Sequence, residues 1–456
     1  MTEKKLTHVV GTFLIQADAS FLNGAGLGAG EDQNVTIPKT FQEGKNRVPY
    51  VSAQAWKRWL RNTLIEETGW TASEPKAIGW NPKGNVNKLA SELNPVEFPE
   101  DDIFGYMRAE AGQGRKQIEG EVEEEADVSG RTKTKSVMRA SPFMASLLVS
   151  LRSTGWQGRD EGFVHLTKYN PSSLAEAEVE RFLAEVAGKQ DKKKNLWERL
   201  KRYDEAFSVK VKGLADSNKL EELRGLLSEK AKPKEVKFIE NPCSPVPYTT
   251  QFYNTNLQGI FCLNYNRLGV YWNLGDRIEL EEVKAKKLLA DKKIKNVTNE
   301  ESYKKLSDNG KSGNIYQIAG EVKPTVKDRA TALFNALVVL RGGAKQAQFG
   351  TDIAPKALIL AGTTSGNPIF NHLFDDDGYG PSLKIETLKE IISDYSDRIA
   401  TPVIIGIRSG YLKNEKTLKG EFIDDKNNPK SWIINGVEVL VMTPIEAAKK
   451  ISEYLP

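Results

Sequence analysis

Cysteine is almost missing: the 456 residues contain only Cys243 and Cys262. That excludes a disulfide framework and points to reduced thiols in a cytoplasmic chain. Histidine is nearly as scarce, and His8, His165 and His372 share no metal-ligand spacing. No apolar run approaches the ~20 residues that span a bilayer. The N-terminus MTEKKLTHVVGTFLI puts positive charge before apolar residues, but no small-residue cleavage site follows, so it reads as a strand and not a signal peptide. One-sided charge is lacking too: 65 basic against 61 acidic residues leaves a net +4, too small to imply a polyanionic partner by itself. No repeat of 20 to 50 residues is visible, which excludes solenoids and propellers. The remainder is ordinary globular material, 39% hydrophobic and 28% charged, in a chain about three times the ~150-residue prior for one domain.

The pattern predicts a buried strand over Thr7 to Ile15, a glycine-rich loop at 23–34, and a helix from Ser52 to about Glu67 stopped by Gly69. Residues 70 to 140 read as a polar insertion with little core of its own. Phe143 to Leu151 is a buried segment, strand or short helix. Residues 172–231 are strongly helical in pattern, Thr249 to Tyr271 a long or bent strand, and 280–305 helical and basic. An apolar-periodic helix runs from Val326 to Leu340 and ends at Gly342 and Gly343. Short buried strands follow at 357–361 and 403–407, and a last helix opens at Thr443–Pro444. The order is α+β, that of a ferredoxin-like or RNA-recognition-motif sheet interrupted by inserts.

Arg47 to Arg61, RVPYVSAQAWKRWLR, carries the most chemistry. At 100° per residue Gln54, Lys57, Arg58 and Arg61 share one face, while Ala53, Trp56, Leu60 and Leu64 share the opposite one. Trp59 lies between. Surface helices usually mix signs, because opposite charges at i, i+4 attract. This face is cationic until Glu66 and begins at a helix N-terminus, where cations are unfavourable and a phosphate is welcome. An ordinary amphipathic surface helix and a phosphate-binding face both fit; the cation run favours the second. Lys39 and Arg47 lie in extended segments beside it, and Ser52, Gln54 and Asn23 offer hydrogen bonds to phosphate oxygens or 2′-hydroxyls.

A second candidate is Gly342 to Gln348, GGAKQAQ, where glycines permit close backbone approach and Lys345, Gln346 and Gln348 supply a cation and amides. The alternative is a helix cap followed by a polar loop. It is no Walker loop, having no Gly-Lys-Ser/Thr, and NGAGLGAG lacks the strand–turn–helix context of a dinucleotide site. Arg139 either reaches a phosphate or pairs with a Glu. Gln251 stands with Tyr253 and Asn254 on the long strand; Tyr253 is core or a stacking platform.

PKTF with RVPYVSAQAWKRWLR resembles the N-terminal signature of the backbone subunit of type I Cascade complexes, in the DevR-like, type I-B-like branch of the repeat-associated mysterious protein superfamily. DIFGYM (102–107), RASPFMASLLVSL (139–151), YTTQFYNTNLQGIF (248–261) and RGGAKQAQFGTDIAPKALIL (341–360) fit the same branch. The charged stretches 172–235 and 280–312 depart from it. The resemblance implies a modified RNA-recognition-motif palm with a helical finger insertion and a β-hairpin thumb. The expected division is palm at 1–69, finger-like insertion at 70–140, palm strands with thumb and a charged helical insertion (172–235) at 141–270, a basic helical insertion at 271–325, and the last of the palm at 326–456.

It further implies a non-catalytic subunit that polymerises along guide crRNA as copies of itself in a helical filament. Its other partners would be further Cascade subunits, target DNA and a recruited nuclease–helicase, with no cofactor, metal or membrane. The implied RNA contacts are Asn23, Lys39, Arg47, Ser52, Gln54, Lys57, Arg58, Arg61, Arg139, Gln251, Lys345, Gln346 and Gln348. A scaffold for any guide sequence must hold phosphate and sugar and leave base edges free, which suits these residue types. Two alternatives stand beside it. One is a metal-dependent ribonuclease of the same superfamily using an Asp after the first strand, Asp18 or Asp32. The other is a transcriptional autoregulator, for which no helix-turn-helix is visible. The acidic tract Glu119 to Asp127 and the basic residues after it are expected at the periphery.

Overall fold

The computed structural model describes residues 4–27, 35–74, 76–80, 86–90, 92–108, 137–152, 159–165, 183–184, 205–217, 219–230, 246–422 and 432–456. The chain forms two compact units, one of residues 1–26, 37–159 and 251–456, the other of 27–36 and 160–250.

The larger unit is built around the strand His8–Ser20. It pairs antiparallel with Val246–Asn264 on one side, Val10 opposite Cys262, and with Ala357–Thr363 on the other, Val10 opposite Ala361. Outward from Ala357–Thr363 come Val403–Ile407, antiparallel, then Val437–Met442, parallel, then Trp432–Ile434 at the edge. On the other side the sheet continues through Leu148–Ser150, Asn46–Val51 and Thr40–Glu43. The first strand reads as an unbroken apolar run because both its faces are covered. Phe13, Ile15 and Ala17 pack on Trp56, Leu60 and Leu64 of the helix Ala53–Thr68, on Leu333 and Phe334 of Val326–Val338, and on Ala447 and Ile451 of Pro444–Glu453. Val10 and Leu14 face the other way, toward Leu388 and Ile392 of Ile385–Asp394 and Leu418 of Glu415–Phe422. Each such side chain contributes about 1.5–3 kcal/mol relative to exposure.

Local signals set the helix ends. Gly69 turns left-handed at φ 68 and its N–H closes on the Ile65 carbonyl at 2.8 Å. Thr325 with Asp328 and Thr443 with Glu446 form reciprocal capping boxes. Ser52 stands at the N-cap of the first helix, but its hydroxyl makes no cap bond. At Gly259 the missing side chain admits the Phe13 ring, which a Cβ would meet at 2.7 Å.

A second sheet in the same unit orders Ile294–Asn296, Gly313–Ile318, Val270–Leu274, Arg277–Ile278, Val137–Arg139 and Tyr106–Arg108. Two expectations change here. The basic stretch expected as helix carries only Glu282–Ala290 and Glu301–Lys304, while its short Ile-centred runs are strands. Lysine-rich flanks suit helix, but Ile294, Ile315 and Ile318 are buried by the sheet. The stretch from 70 to 140 was expected to have little core, yet Glu100, Asp101, Asp102 and Ile103 of the helix Pro99–Phe104 are buried, as is Arg139.

In the smaller unit Val35 and Thr36 pair parallel with Thr249 and Thr250. Helices Glu205–Asp216 and Leu220–Lys230 bear out the helical pattern there, with Val211 and Leu223 buried. The Lys-rich tract 189–202, the acidic tract 119–127, Asp32 and Cys243 lie outside the described residues. Among the described residues no helix is long and apolar enough to cross a membrane. Cys262 is buried and unpaired, and burial pushes its thiol up to about 12.

Candidate nucleic-acid interface

Three segments far apart in sequence meet just beyond Ser20, at the end of the first strand. Asn23 is the junction. Its side-chain Oδ1 accepts from the Ser52 amide at 3.1 Å and from the Ser52 hydroxyl at 3.2 Å. Its carbonyl accepts from the Lys39 amide at 2.8 Å, and the Lys39 carbonyl accepts from the Tyr50 amide at 3.0 Å. The turn after the first strand, the Lys39 segment and the start of the first helix are therefore stitched together. The Ser52 hydroxyl donates to Asn23 and makes no helix cap bond.

The third segment is the glycine loop. Ala344 donates its N–H to the Leu22 carbonyl at 2.9 Å. Gly342 (φ 144) lies against the Trp59 indole, where any Cβ would collide with the ring, and Gly343 (φ 103) lies against Leu22. The loop is closed by the Gln346 side-chain amide donating to the Gly342 carbonyl. On its other flank the Arg341 N–H donates to Thr63 Oγ1 at 3.0 Å, and the Arg341 guanidinium pairs with Glu66 and Glu67. The two glycines do serve close approach, and what approaches is Trp59. Lys345 is held at φ 53, its ammonium 5.2 Å from the centroid of the Phe21 ring. Burial lowers the pKa of that ammonium, a cost that an adjacent anion relieves. Gln348 is exposed, and the Phe349 ring packs on Phe252 at 5.8 Å, which sets the strand segment of Gln251 against this turn. Gln251 is half-buried, with its Oε1 buried and unpartnered among the described residues. Tyr253 is core.

The cationic face of the first helix splits in two. Gln54 and Arg58 are exposed. Lys57 turns inward and donates to Ser141 Oγ at 3.0 Å, and burial lowers its pKa. Arg61 donates to the Ser73 carbonyl at 3.0 Å and to Glu100 Oε1 at 3.1 Å, with Asp101 at 3.9 Å. Lys57 and Arg61 were expected to supply phosphate contacts; in the structure Arg61 meets acidic partners on the Pro99–Phe104 helix and Lys57 meets the Ser141 hydroxyl. Arg47 is exposed on the hairpin and donates to Thr40 Oγ1 at 3.3 Å.

Arg139 is also corrected, from a possible phosphate contact to an internal ion pair. It is fully buried, bonded to Asp102 and, at 3.0 Å, to Glu279. Burial alone would lower its pKa; the neighbouring Asp102 carboxylate holds it above the ordinary value. A guanidinium closed in by two carboxylates leaves no donor for an outside anion. The structure thus brings Asn23, Lys39, Ser52, Lys345 and Gln346 together, with Gln54 and Arg58 on the adjoining helix, and removes Arg139.

The sequence did not reveal the acid cluster behind this helix. Its one signal is Pro99-Glu100-Asp101-Asp102, a proline-led acidic first turn. Asp101 is raised to about 6, first by burial and then by Glu100. The folded state therefore holds this proton more tightly than the unfolded chain. Its contribution is full below about pH 4 and is lost as pH rises through 6, roughly 3 kcal/mol for a two-unit shift. Asp101→Asn should accordingly raise the melting temperature at pH 7.5 while changing it little at pH 4. An equal shift at both pH values would show that the carboxyl is ionised throughout.

The chain is similar along its length to two solved chains. One, from a structure titled "CRISPR RNA-guided surveillance complex, pre-nicking", aligns with TM-score 0.45 at 9% identity, covering 98% of this chain and 100% of that one. The other, titled "CRISPR RNA-guided surveillance complex", aligns with TM-score 0.35 at 12% identity, covering 89% and 90%. No family model and no curated protein matches the sequence.

Proposed function

We propose that the chain is a non-catalytic, guide-RNA-binding backbone subunit of a CRISPR surveillance complex, as its sequence resemblance to Cascade backbone subunits implies. The observation that carries this is the convergence at Asn23: two peptide segments and a glycine loop lock together around an amide, an exposed helix N-terminus and the cation Lys345. Such a surface offers hydrogen bonds and charge to phosphate and ribose, and holds a strand without reading its bases. The sheet around His8–Ser20 is the palm in this reading. Copies of the chain succeed one another along the RNA, which other subunits cap and target DNA then pairs with; a separate nuclease–helicase does the cutting.

Asp18, the described candidate for a catalytic carboxylate, lies on the first strand, exposed, and accepts from Gln16 Nε2 at 2.6 Å. It acts here as a surface residue. The test is the nucleic acid that copurifies when the chain is expressed with its guide array. An RNA of fixed length, protected at regular stoichiometry, is the expected result. Duplex DNA in its place supports the autoregulator, and a nucleic-acid-free chain overturns the scaffold. Incubating the assembly with Mg²⁺ and a complementary RNA should give no cutting. Cleavage at regular spacing that Asp18→Ala or Asp32→Asn abolishes would assign the ribonuclease instead.

A further inference from the structure

A cavity of about 390 Å³ opens at the other end of the central strand, lined by Lys5, His8, Asn264, Arg267, Trp272 and Tyr303 among others. His8 begins the strand and pairs with Asn264. Twelve residue steps separate it from Ser20, at the Asn23 cluster's end of the strand, about 40 Å at 3.3 Å per residue. Three buried polar atoms of the lining have no hydrogen-bond partner among the described residues: Asn264 Oδ1, Arg267 Nη1 and Trp272 Nε1. Buried polar groups are ordinarily satisfied, so three orphans around one cavity call for a ligand's complementary atoms.

Their chemistry narrows the ligand. Arg267 already gives Nη2 to both oxygens of Glu279 at 2.7 Å, leaving Nη1 as a cationic donor. Burial lowers that guanidinium to about 10 even with Glu279 beside it, and a second anion would raise it again. The indole N–H is a second donor, Lys5 adds an exposed ammonium, and among the described residues no Asp or Glu lines the cavity. An anion therefore fits. Asn264 Oδ1 asks in addition for a donor next to that anion. A phosphate group has none of its own and an RNA strand offers only its 2′-hydroxyl, whereas a peptide carries an N–H beside every acidic side chain. Base stacking is disfavoured too, because the Arg267 guanidinium already covers the Trp272 ring at 3.5 Å from its centroid.

We propose that this cavity binds an acidic peptide segment, with a carboxylate taken by Arg267 Nη1 and Trp272 Nε1 and a backbone N–H by Asn264. One source of such a peptide is this chain's own tract at 119–127, which holds Glu119, Glu121, Glu123, Glu124, Glu125 and Asp127. Another is a neighbouring subunit.

The probe is a fluorescent synthetic peptide of residues 117–129, compared by anisotropy with the same peptide carrying Gln and Asn at its acids. Full chain should bind the acidic peptide at least tenfold more tightly than the amide form. Trp272→Phe and Lys5→Gln should each weaken it, together at least tenfold, with melting temperature unchanged; Lys5 is exposed, so its variant keeps the test open if Trp272→Phe does not fold. Equal binding of the two peptides overturns the proposal, as does a Lys5→Gln or doubly substituted chain that binds like the parent. A single-stranded oligonucleotide that displaces the peptide and itself weakens with Trp272→Phe reassigns the cavity to nucleic acid. Deleting 119–127 separates the sources: tighter peptide binding by the deleted chain means its own tract competes, and equal binding means the segment comes from another chain.

Discussion

Asp102→Ala should cost the fold about 3–5 kcal/mol, the toll of breaking a buried ion pair by removing one partner. Asp102 accepts from Arg139, from Arg329 Nη1 at 2.7 Å and from the Gly269 amide at 2.9 Å. All three side chains are completely buried. Arg139 retains Glu279 at 3.0 Å, but Arg329 is left with the neutral carbonyls of Pro95, Val96 and Pro324. One carboxylate thus fixes two guanidiniums and ties the Pro99–Phe104 helix, the Val137–Arg139 strand, the Gly269 turn and the Val326–Val338 helix to one point. Against a typical net stability of 5–15 kcal/mol the loss is large, and the variant should melt roughly 10 °C lower or accumulate as insoluble protein. The adjacent Asp101→Asn should act in the opposite direction at neutral pH, because that carboxylate has burial without a matching cation close enough to offset it: Arg61 stands at 3.9 Å. Urea melts of the two variants at pH 7.5 decide the matter. An Asp102→Ala chain as stable as the parent would mean that water reaches Arg139 and Arg329.

The sequence showed direction well and partners poorly. A helical wheel placed Trp56, Leu60 and Leu64 on the packed side of the first helix, and the structure buries all three. It could not show that Glu100 stands opposite Arg61, 39 residues away in the chain. The first strand was expected to stop at Ile15, where the apolar run stops. It continues to Ser20, because Ala17 still faces the core while Asp18 faces solvent, an alternation too short to stand out beside the glycine loop. The glycines 342 and 343 were read as room for a ligand's close approach, but periodicity left Trp59 between two faces and so hid that this ring fills the space beside Gly342. Arg139 was ambiguous for the same reason as Arg61: a lone arginine ahead of an apolar segment fits an ion pair or a ligand equally, and only the tertiary fold supplies Asp102 and Glu279. The strands at Ile294–Asn296 and Gly313–Ile318 were lost among lysines whose helix propensity outweighs three or four apolar residues.

The split of the helix face gives the prediction with the largest effect on binding. Arg58→Ala combined with Lys345→Ala should weaken RNA binding strongly while leaving the melting temperature where it is. Arg58 is exposed, and Lys345 lies over the Phe21 ring beside the Asn23 junction, so removing both leaves the core packing in place. If each contacts one phosphate, the slope of log K against log salt should flatten by about 1.4, at ~0.7 per contact on a single strand. Across a fourfold change in salt that is about a sevenfold difference in how far affinity falls. Lys57→Ala with Arg61→Ala should behave otherwise. It removes the countercharge from buried Glu100 and the donor from Ser141, and so lowers the melting temperature, with the salt slope nearly unchanged. Lys57, Arg58 and Arg61 share one helix face and differ in what the fold has placed against them. Measuring both slopes and both melting temperatures therefore separates charge that faces a ligand from charge that faces the protein. A flattened slope for the Lys57/Arg61 pair and an unchanged one for Arg58/Lys345 would reverse the assignment and move the RNA to the Pro99–Phe104 side of the helix.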